Sequence, residues 1–275
     1  IFILLMMALA TCNISAKSNF VQVKVGHFVR DGKPYYYVGT NFWYGAILGS
    51  EGQGGNRERL CKELDEMKAM GIDNLRILVG SDGKRGVKTK VEPTLQEAPG
   101  VYNDTILAGL DYLLMEMGKR KMLAVLYLNN SWEWSGGYGY YLEQAGMGKA
   151  PRPNEDGYPA FMNYVAKYAA CEKAHQLFYD YVKFILTRTN RYTKKKYKDD
   201  PAIMSWQIGN EPRAFSKEQL PAFEKWLGEA SKLIRSLDKN HLISIGSEGK
   251  WGCEGELNCW ERICADKNVD YCNIH

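Results

Sequence analysis

Apolar segments of strand length alternate with stretches of helical periodicity along almost the whole chain, and this pattern constrains the fold more than any other feature. The strand-like segments are Pro34–Gly39, Asn74–Leu78, Met122–Leu128, Ala202–Ile208, Leu242–Gly246 and Val269–His275. Between them, residues 56–70 place Leu60, Leu64, Met67 and Met70 on one helical face, and residues 105–119 do the same with Ile106, Leu110, Leu113, Leu114 and Met117. Residues 172–191 (Phe178, Val182, Ile185, Leu186), 216–237 (Leu220, Phe223, Leu227, Ile234, Leu237) and a shorter stretch at 257–266 continue the series. Segments such as Met122–Leu128 are apolar on both faces, as strands covered by helices on both sides must be, so the pattern predicts a parallel sheet sheathed in helices. An opening hairpin precedes it, with Phe20–Val25 and Pro34–Gly39 joined through Arg30-Asp31-Gly32-Lys33.

Two arrangements of such a sheet are common, a doubly wound one and a closed barrel. No Gly-x-Gly-x-x-Gly follows the first strand and no Walker loop appears, which removes the main signal for a nucleotide-binding doubly wound sheet. Polar and aromatic residues instead gather just after the strands: Asn41 and Trp43, Arg76, Asn129 and Trp132, Glu211, Glu248 and His275. In a (β/α)8 TIM barrel all those positions face one rim, where such enzymes work. The expected fold is therefore an α/β barrel with about six of its eight strands in these residues. The chain has 275 residues, 45% of them hydrophobic, enough for one large core. Residues 1–16 read as part of a signal peptide and 17–275 as a barrel domain. Six strands form an open sheet with exposed edges, so the 275 residues alone are expected neither to fold stably nor to be active.

The chemistry centres on Gly209-Asn210-Glu211-Pro212-Arg213, which closes the strand Ala202–Ile208. A carboxyl group at that strand end, walled by Trp206 and other aromatics, is expected to have a raised pKa and to serve as a general acid. Pro212 biases Glu211 toward an extended backbone, and Asn210 is placed to hydrogen-bond a sugar hydroxyl. Arg76 ends an apolar strand, where a lone charge is costly, so it should pair with a carboxylate. Residues 129–161 read as a long aperiodic loop rich in aromatics (Trp132, Trp134, Tyr138, Tyr140, Tyr141, Tyr158, Phe161), which suit stacking on pyranose rings, as does Trp43. Glycoside hydrolysis normally needs two carboxyl groups, about 5–5.5 Å apart for retention or about 6.5–9.5 Å for inversion. Glu248, after the next strand, is either the second or a rim residue that binds substrate or orients a loop.

These motifs together resemble glycoside hydrolase family 5, and within it the secreted endo-β-1,4-mannanases. The resemblance rests on Gly39-Thr40-Asn41-Phe42-Trp43-Tyr44, Asn74-Leu75-Arg76, Asn129-Asn130-Ser131-Trp132-Glu133-Trp134, Trp206 to Arg213, and Gly246-Ser247-Glu248-Gly249, and runs from Phe20 to His275. It implies a retaining double displacement without metal or organic cofactor. Glu211 matches the family acid/base, Asn210 the contact to the sugar 2-hydroxyl, Arg76 the arginine that steers the nucleophile, and His275 the strand-six histidine. The family nucleophile ends strand seven, which these residues do not reach, and Glu248 is carried only as a cleft residue. The implied partner is β-mannan. A β-1,4-glucanase of the same family, exo action, and a non-catalytic carbohydrate-binding barrel remain open alternatives.

Charge and cysteine usage narrow the setting. A net charge of +4 is too small and dispersed to indicate nucleic acid, and Lys194-Lys195-Lys196-Tyr197-Lys198 reads as a solvated helix end. Ile1 to Ala10 resembles the core of a secretory leader, with Ile14-Ser15-Ala16 as a cleavage site and Leu9-Ala10-Thr11-Cys12 as an imperfect lipoprotein box. Six further cysteines, four of them between 253 and 272, fit disulfides in an oxidising compartment, though their pairing is not readable from spacing, and the spacings do not suit a zinc site. A secreted or cell-envelope monomer is expected.

Overall fold

The computed structural model describes residues 19–83 and 90–275, so the leader and lipoprotein readings lie outside the described residues. The chain opens with a three-stranded antiparallel meander, β1 (Gln22–Lys24), β2 (His27–Arg30) and β3 (Lys33–Pro34). Then come β4 (Val38–Asn41), α1 (Gly45–Leu48), α2 (Arg57–Ala69), β5 (Ile72–Leu78), a small ribbon of β6 (Gln96–Ala98) and β7 (Val101–Tyr102), α3 (Asp104–Lys119) and β8 (Leu123–Tyr127). The short helices α4 (Gly137–Gln144), α5 (Pro153–Asp156) and α6 (Tyr158–Val165) lead to α7 (Glu172–Thr187), β9 (Ile203–Gln207), α8 (Leu220–Leu237), β10 (Leu242–Ser244) and α9 (Leu257–Cys264).

The helices form where sequence periodicity and capping agree. Asn56 caps α2 by accepting from the Arg59 amide at 2.9 Å, and Leu60, Leu64 and Met67 behind it are buried. Asn103 caps α3 through the amides of Thr105 and Ile106. Pro221 sits in the first turn of α8, where its missing N–H is no loss.

The parallel sheet has the order β4-β5-β8-β9-β10, so each new strand is added on the same side of the last. A doubly wound sheet reverses direction partway, and this one does not, which is the winding of a (β/α)8 barrel. Outward residues such as Leu75, Ile77, Leu126, Ile203 and Ile243 join the helices in one large core. A second cluster (Val21, Tyr35, Leu123, Met204, Leu242, with Phe28 against it) packs the meander across the start of the strands and closes the interior from that end. The opening hairpin is thereby corrected: its expected return strand divides into β3, which pairs with β2, and β4, which enters the barrel sheet.

Two further expectations change. Val269–His275 forms no regular strand, only an isolated bridge between Ile274 and Glu248. It follows β10 through Asp270 N–H to Ile243 O at 2.9 Å and His275 N–H to Ser247 O at 3.1 Å, while the Asn273 amide oxygen and an Asp270 carboxylate oxygen accept from Gly246 and Ile243 in place of ladder carbonyls. The Cys264–Cys272 disulfide anchors this segment to the end of α9. Residues 129–161 are not an aperiodic loop, because they wind into α4, α5 and the start of α6. Tyr138, Tyr140, Tyr141 and Phe161 are buried there, and Tyr138 stacks on Tyr168 at 3.9 Å. Most of the aromatic cluster is thus core, and a Cβ at Gly139, between the tyrosines, would meet Ala150 at 3.3 Å and Phe161 at 3.8 Å.

Candidate active site

A bulge in β9 decides which side chains reach the interior. Ala124 of β8 pairs with Ile203 but Val125 pairs with Ser205, so Met204 is the extra residue. Ser205 and Gln207 consequently face inward, where Ser205 Oγ meets Tyr271 Oη at 2.7 Å. Trp206 turns outward, fully buried, and donates its indole N–H to Asp238 at 2.7 Å. Trp206 therefore does not wall Glu211, as the sequence suggested.

Past the strand end the backbone carries Glu211 in the left-handed region, with φ of 52°. This overrides the extended bias of a residue before proline and is uncommon for any residue with a side chain. Two hydrogen bonds hold it there: its N–H donates to Gly246 O at 2.9 Å, and Ser131 Oγ donates to its carbonyl. Gly246 itself has φ of 85°, and a Cβ there would lie 1.8 Å from Gly209 O, so only glycine permits this contact between neighbouring strand ends. Strain of this kind concentrates at functional residues.

The Glu211 carboxylate receives two donors. Trp132 Nε1–H reaches Oε2 at 2.7 Å and His275 Nδ1 approaches Oε1 at 3.2 Å. The hydrogen bond from His275 outweighs burial, and with the help of Trp132 and the Arg76 charge it holds the carboxyl below the usual range. The expected raised pKa is overturned for this state, because donors stabilise the charged form more than the half-buried setting disfavours it.

Arg76 is the hub beneath. Its Nε donates to Gln207 Oε1 at 2.7 Å, and its two terminal nitrogens to Asn210 Oδ1 at 3.0 Å and Asn41 Oδ1 at 3.3 Å, with the guanidinium 4.3 Å from the Tyr127 ring centre. The expected carboxylate partner is replaced by three amide oxygens and an aromatic face, an arrangement that suits a planar fork of donors. Arginine only donates, so the Asn210 oxygen must face Arg76, and the Asn210 amide N–H2 then reaches Asn130 Oδ1 at 3.2 Å. One Asn210 N–H is left without a partner among the described residues, beside Glu211. Asn129 is corrected to a scaffold residue: it is 2% exposed, its amide group is committed to Tyr168 Oη and the Asn130 N–H, and its carbonyl accepts from Asn210 N–H.

Glu248 is likewise committed. Arg213 holds it in a two-point ion pair at 2.9 and 2.8 Å, and burial still raises its pKa. The Arg213 guanidinium lies 5.5 Å from the Trp132 ring and 5.9 Å from Phe215, so this pair braces the indole that donates to Glu211. Trp43 is partly exposed beyond β4, and Trp134 accepts from the Val91 N–H through its carbonyl; neither lines the cavity at Glu211.

That cavity, about 610 Å³, is lined by Asn41, Arg76, Asn210, Glu211 and His275, and by Tyr37, Gln207, Tyr271 and Asn273, which sequence reasoning did not single out. Polar residues at inward positions of apolar strands, as at Gln207, were the available signal. A larger groove of about 820 Å³ lies at the opposite end of the strands beside Met122 and Ala202 and holds none of these groups. Glu211 is the only carboxylate lining the smaller cavity among the described residues. Trp132→Phe should remove one donor and raise the Glu211 pKa, read as an upward move in the NMR titration of its carboxyl carbon. An unmoved titration would show that the indole does not control this carboxyl.

Known proteins share this arrangement of strands. A family model described as GH family 5 beta-mannosidase-like matches residues 18–275. Mannan endo-1,4-beta-mannosidase 7 of Arabidopsis thaliana is 32% identical over 234 residues, which cover 85% of this chain and 50% of the relative. The glycoside hydrolase family 5 mannosidase of Rhizomucor miehei superposes with a TM-score of 0.86 at 34% identity, covering 94% of this chain and 62% of that one. The endo-1,4-beta-mannanase of the same organism gives 0.73 at 26%, covering 93% and 71%. The chain spans about half the length of the curated relatives it matches. With the singly wound parallel sheet and a glutamate at the end of its fourth strand, the chain belongs to glycoside hydrolase family 5, among its beta-mannosidase-like members.

Proposed function

We propose that the protein carrying this chain hydrolyses β-1,4-mannosidic bonds in mannans, with Glu211 as acid/base. The observation that carries this reading is the Glu211 carboxylate at the mouth of β9, held by Trp132 and His275 and lining a cavity beside the Arg76–Asn210 pair. Glu211 protonates the departing glycosidic oxygen and then takes a proton from water, and the free Asn210 N–H meets a hydroxyl of the sugar at the cleaved bond. Retention requires a second carboxylate about 5–5.5 Å from the first. Glu248, tied to Arg213, is not that group in this reading. The reaction needs no metal, and the protein works as a monomer outside the cytoplasm, a setting supported by the leader-like Ile1 to Ala10 and by the Cys264–Cys272 disulfide.

Endo action is the main reading, supported by the curated relatives, which are named mannan endo-1,4-beta-mannosidases. An exo-acting mannosidase is the second, favoured by the higher TM-score to the Rhizomucor miehei mannosidase than to its endo-mannanase. Digestion of mannan and of β-glucan by the whole protein separates the alternatives. A ladder of manno-oligosaccharides with a fast fall in viscosity is the expected result. Mannose alone with little loss of viscosity would move the protein to the exo reading, and cleavage of β-glucan only would overturn mannan as substrate.

A further inference from the structure

Two cysteines outside the site already described are brought together by a tight reversal of the chain. Cys253 ends a 3-10 turn over Gly249–Cys253, and Cys259 lies in the first turns of α9. Between them Glu254 and Gly255 both have positive φ, 52° and 85°, and Glu256 N–H closes the turn on Cys253 O at 2.9 Å. Both cysteines are 1% exposed and belong to the same core cluster. Both are free thiols in this structure, and the neighbouring Cys253 sulfur, burial and the Glu224 carboxylate together raise the Cys259 thiol far above its ordinary range. A short distance along the chain, Cys264 and Cys272 are already bridged.

We propose that Cys253 and Cys259 are a modification site, the two halves of a second disulfide that staples the loop after β10. The thiolate of one attacks a small-molecule or carrier disulfide, forming a mixed disulfide and releasing one thiol. The thiolate of the other then attacks the protein sulfur of that mixed disulfide and releases the second thiol. The two cysteines are oxidised, the carrier disulfide is reduced to two thiols, and two protons pass from the cysteines to the released thiols. Sulfurs this buried exclude an external disulfide once the core has closed, so the bond forms during folding and resists reduction afterwards. The loop it fastens carries Glu248, and the Gly252 carbonyl accepts from Ala214 N–H at 3.0 Å, so the staple braces the Arg213–Glu248 pair from below. Its presence in the natural protein rests on the export reading above, because a reducing cytoplasm would keep both thiols free.

The test is therefore made independent of export. The whole protein is unfolded with reductant, refolded in a mixture of oxidised and reduced glutathione, denatured without reductant and alkylated. Trypsin releases both cysteines in one peptide, Trp251 to Arg262. The expected peptide is unalkylated and about 2 Da lighter than its reduced form, and takes up two alkyl groups only after reduction. Alkylation at both positions in the unreduced sample, or linkage of either to another cysteine, would overturn the proposal. As a second readout, Cys259→Ser should lower the melting temperature of the oxidised protein while Cys264–Cys272 stays linked. An unchanged melting temperature would remove the bracing role. Where the natural protein resides tests export alone, so the two readings fail separately.

Discussion

Glu211→Gln is expected to lower kcat on mannan by about 10²–10⁴-fold, with stability changed by less than about 1 kcal/mol. Glutamine keeps the shape and can still accept from the Trp132 indole and face His275, so the strand end should hold its conformation. What it lacks is a transferable proton. The loss should therefore depend on the leaving group: an aryl mannoside whose phenol leaves without protonation should lose far less in the bond-breaking step than mannan does. Equal losses on both substrates would point to damaged binding, and full activity on mannan would exclude Glu211 as the acid. The depressed pKa of Glu211 bears on the same experiment. A general acid must be protonated when the bond breaks, and the second carboxylate that retention requires, exclusion of water by bound sugar and loss of the His275 contact each act to raise the pKa.

Arg76→Lys should cost about 3 kcal/mol of stability, seen as a melting temperature lower by about 5–10 °C, and about 10²-fold in kcat. Lysine retains the charge, so a purely electrostatic role would survive the change. The structure shows a geometric role instead, because three amide oxygens from the ends of two strands converge on one planar group over Tyr127. An ammonium cannot serve all three in these directions. Asn210, released from Arg76, is then free to turn away from the position beside Glu211. A lysine variant matching the parent in both melting temperature and kcat would refute the hub.

Local chemistry made much of this legible. Leu60, Leu64 and Met67 announced α2, the run Met122–Leu128 announced a buried strand, and the motif around Glu211 located the site at a strand end. The misreadings share one cause, which is that side-chain direction is set by partners distant in sequence. Trp206 faces outward because of a bulge defined against β8, and Arg76 found amides where a carboxylate was expected. The tyrosines of α4 are core because α7 and α8 enclose them, which no local pattern around Tyr138 or Tyr141 reveals.

By itself the sequence determined the alternation of strands and helices, the family and the place of Glu211 at a strand end, since these depend on hydrophobic period and on residues adjacent in the chain. Tertiary structure alone decided which donors surround that carboxyl, the commitment of Glu248 to Arg213 and the burial of Cys253 and Cys259 in one core. Those depend on distances of a few ångströms between separate elements, over which Coulomb interactions weaken and hydrogen bonds vanish.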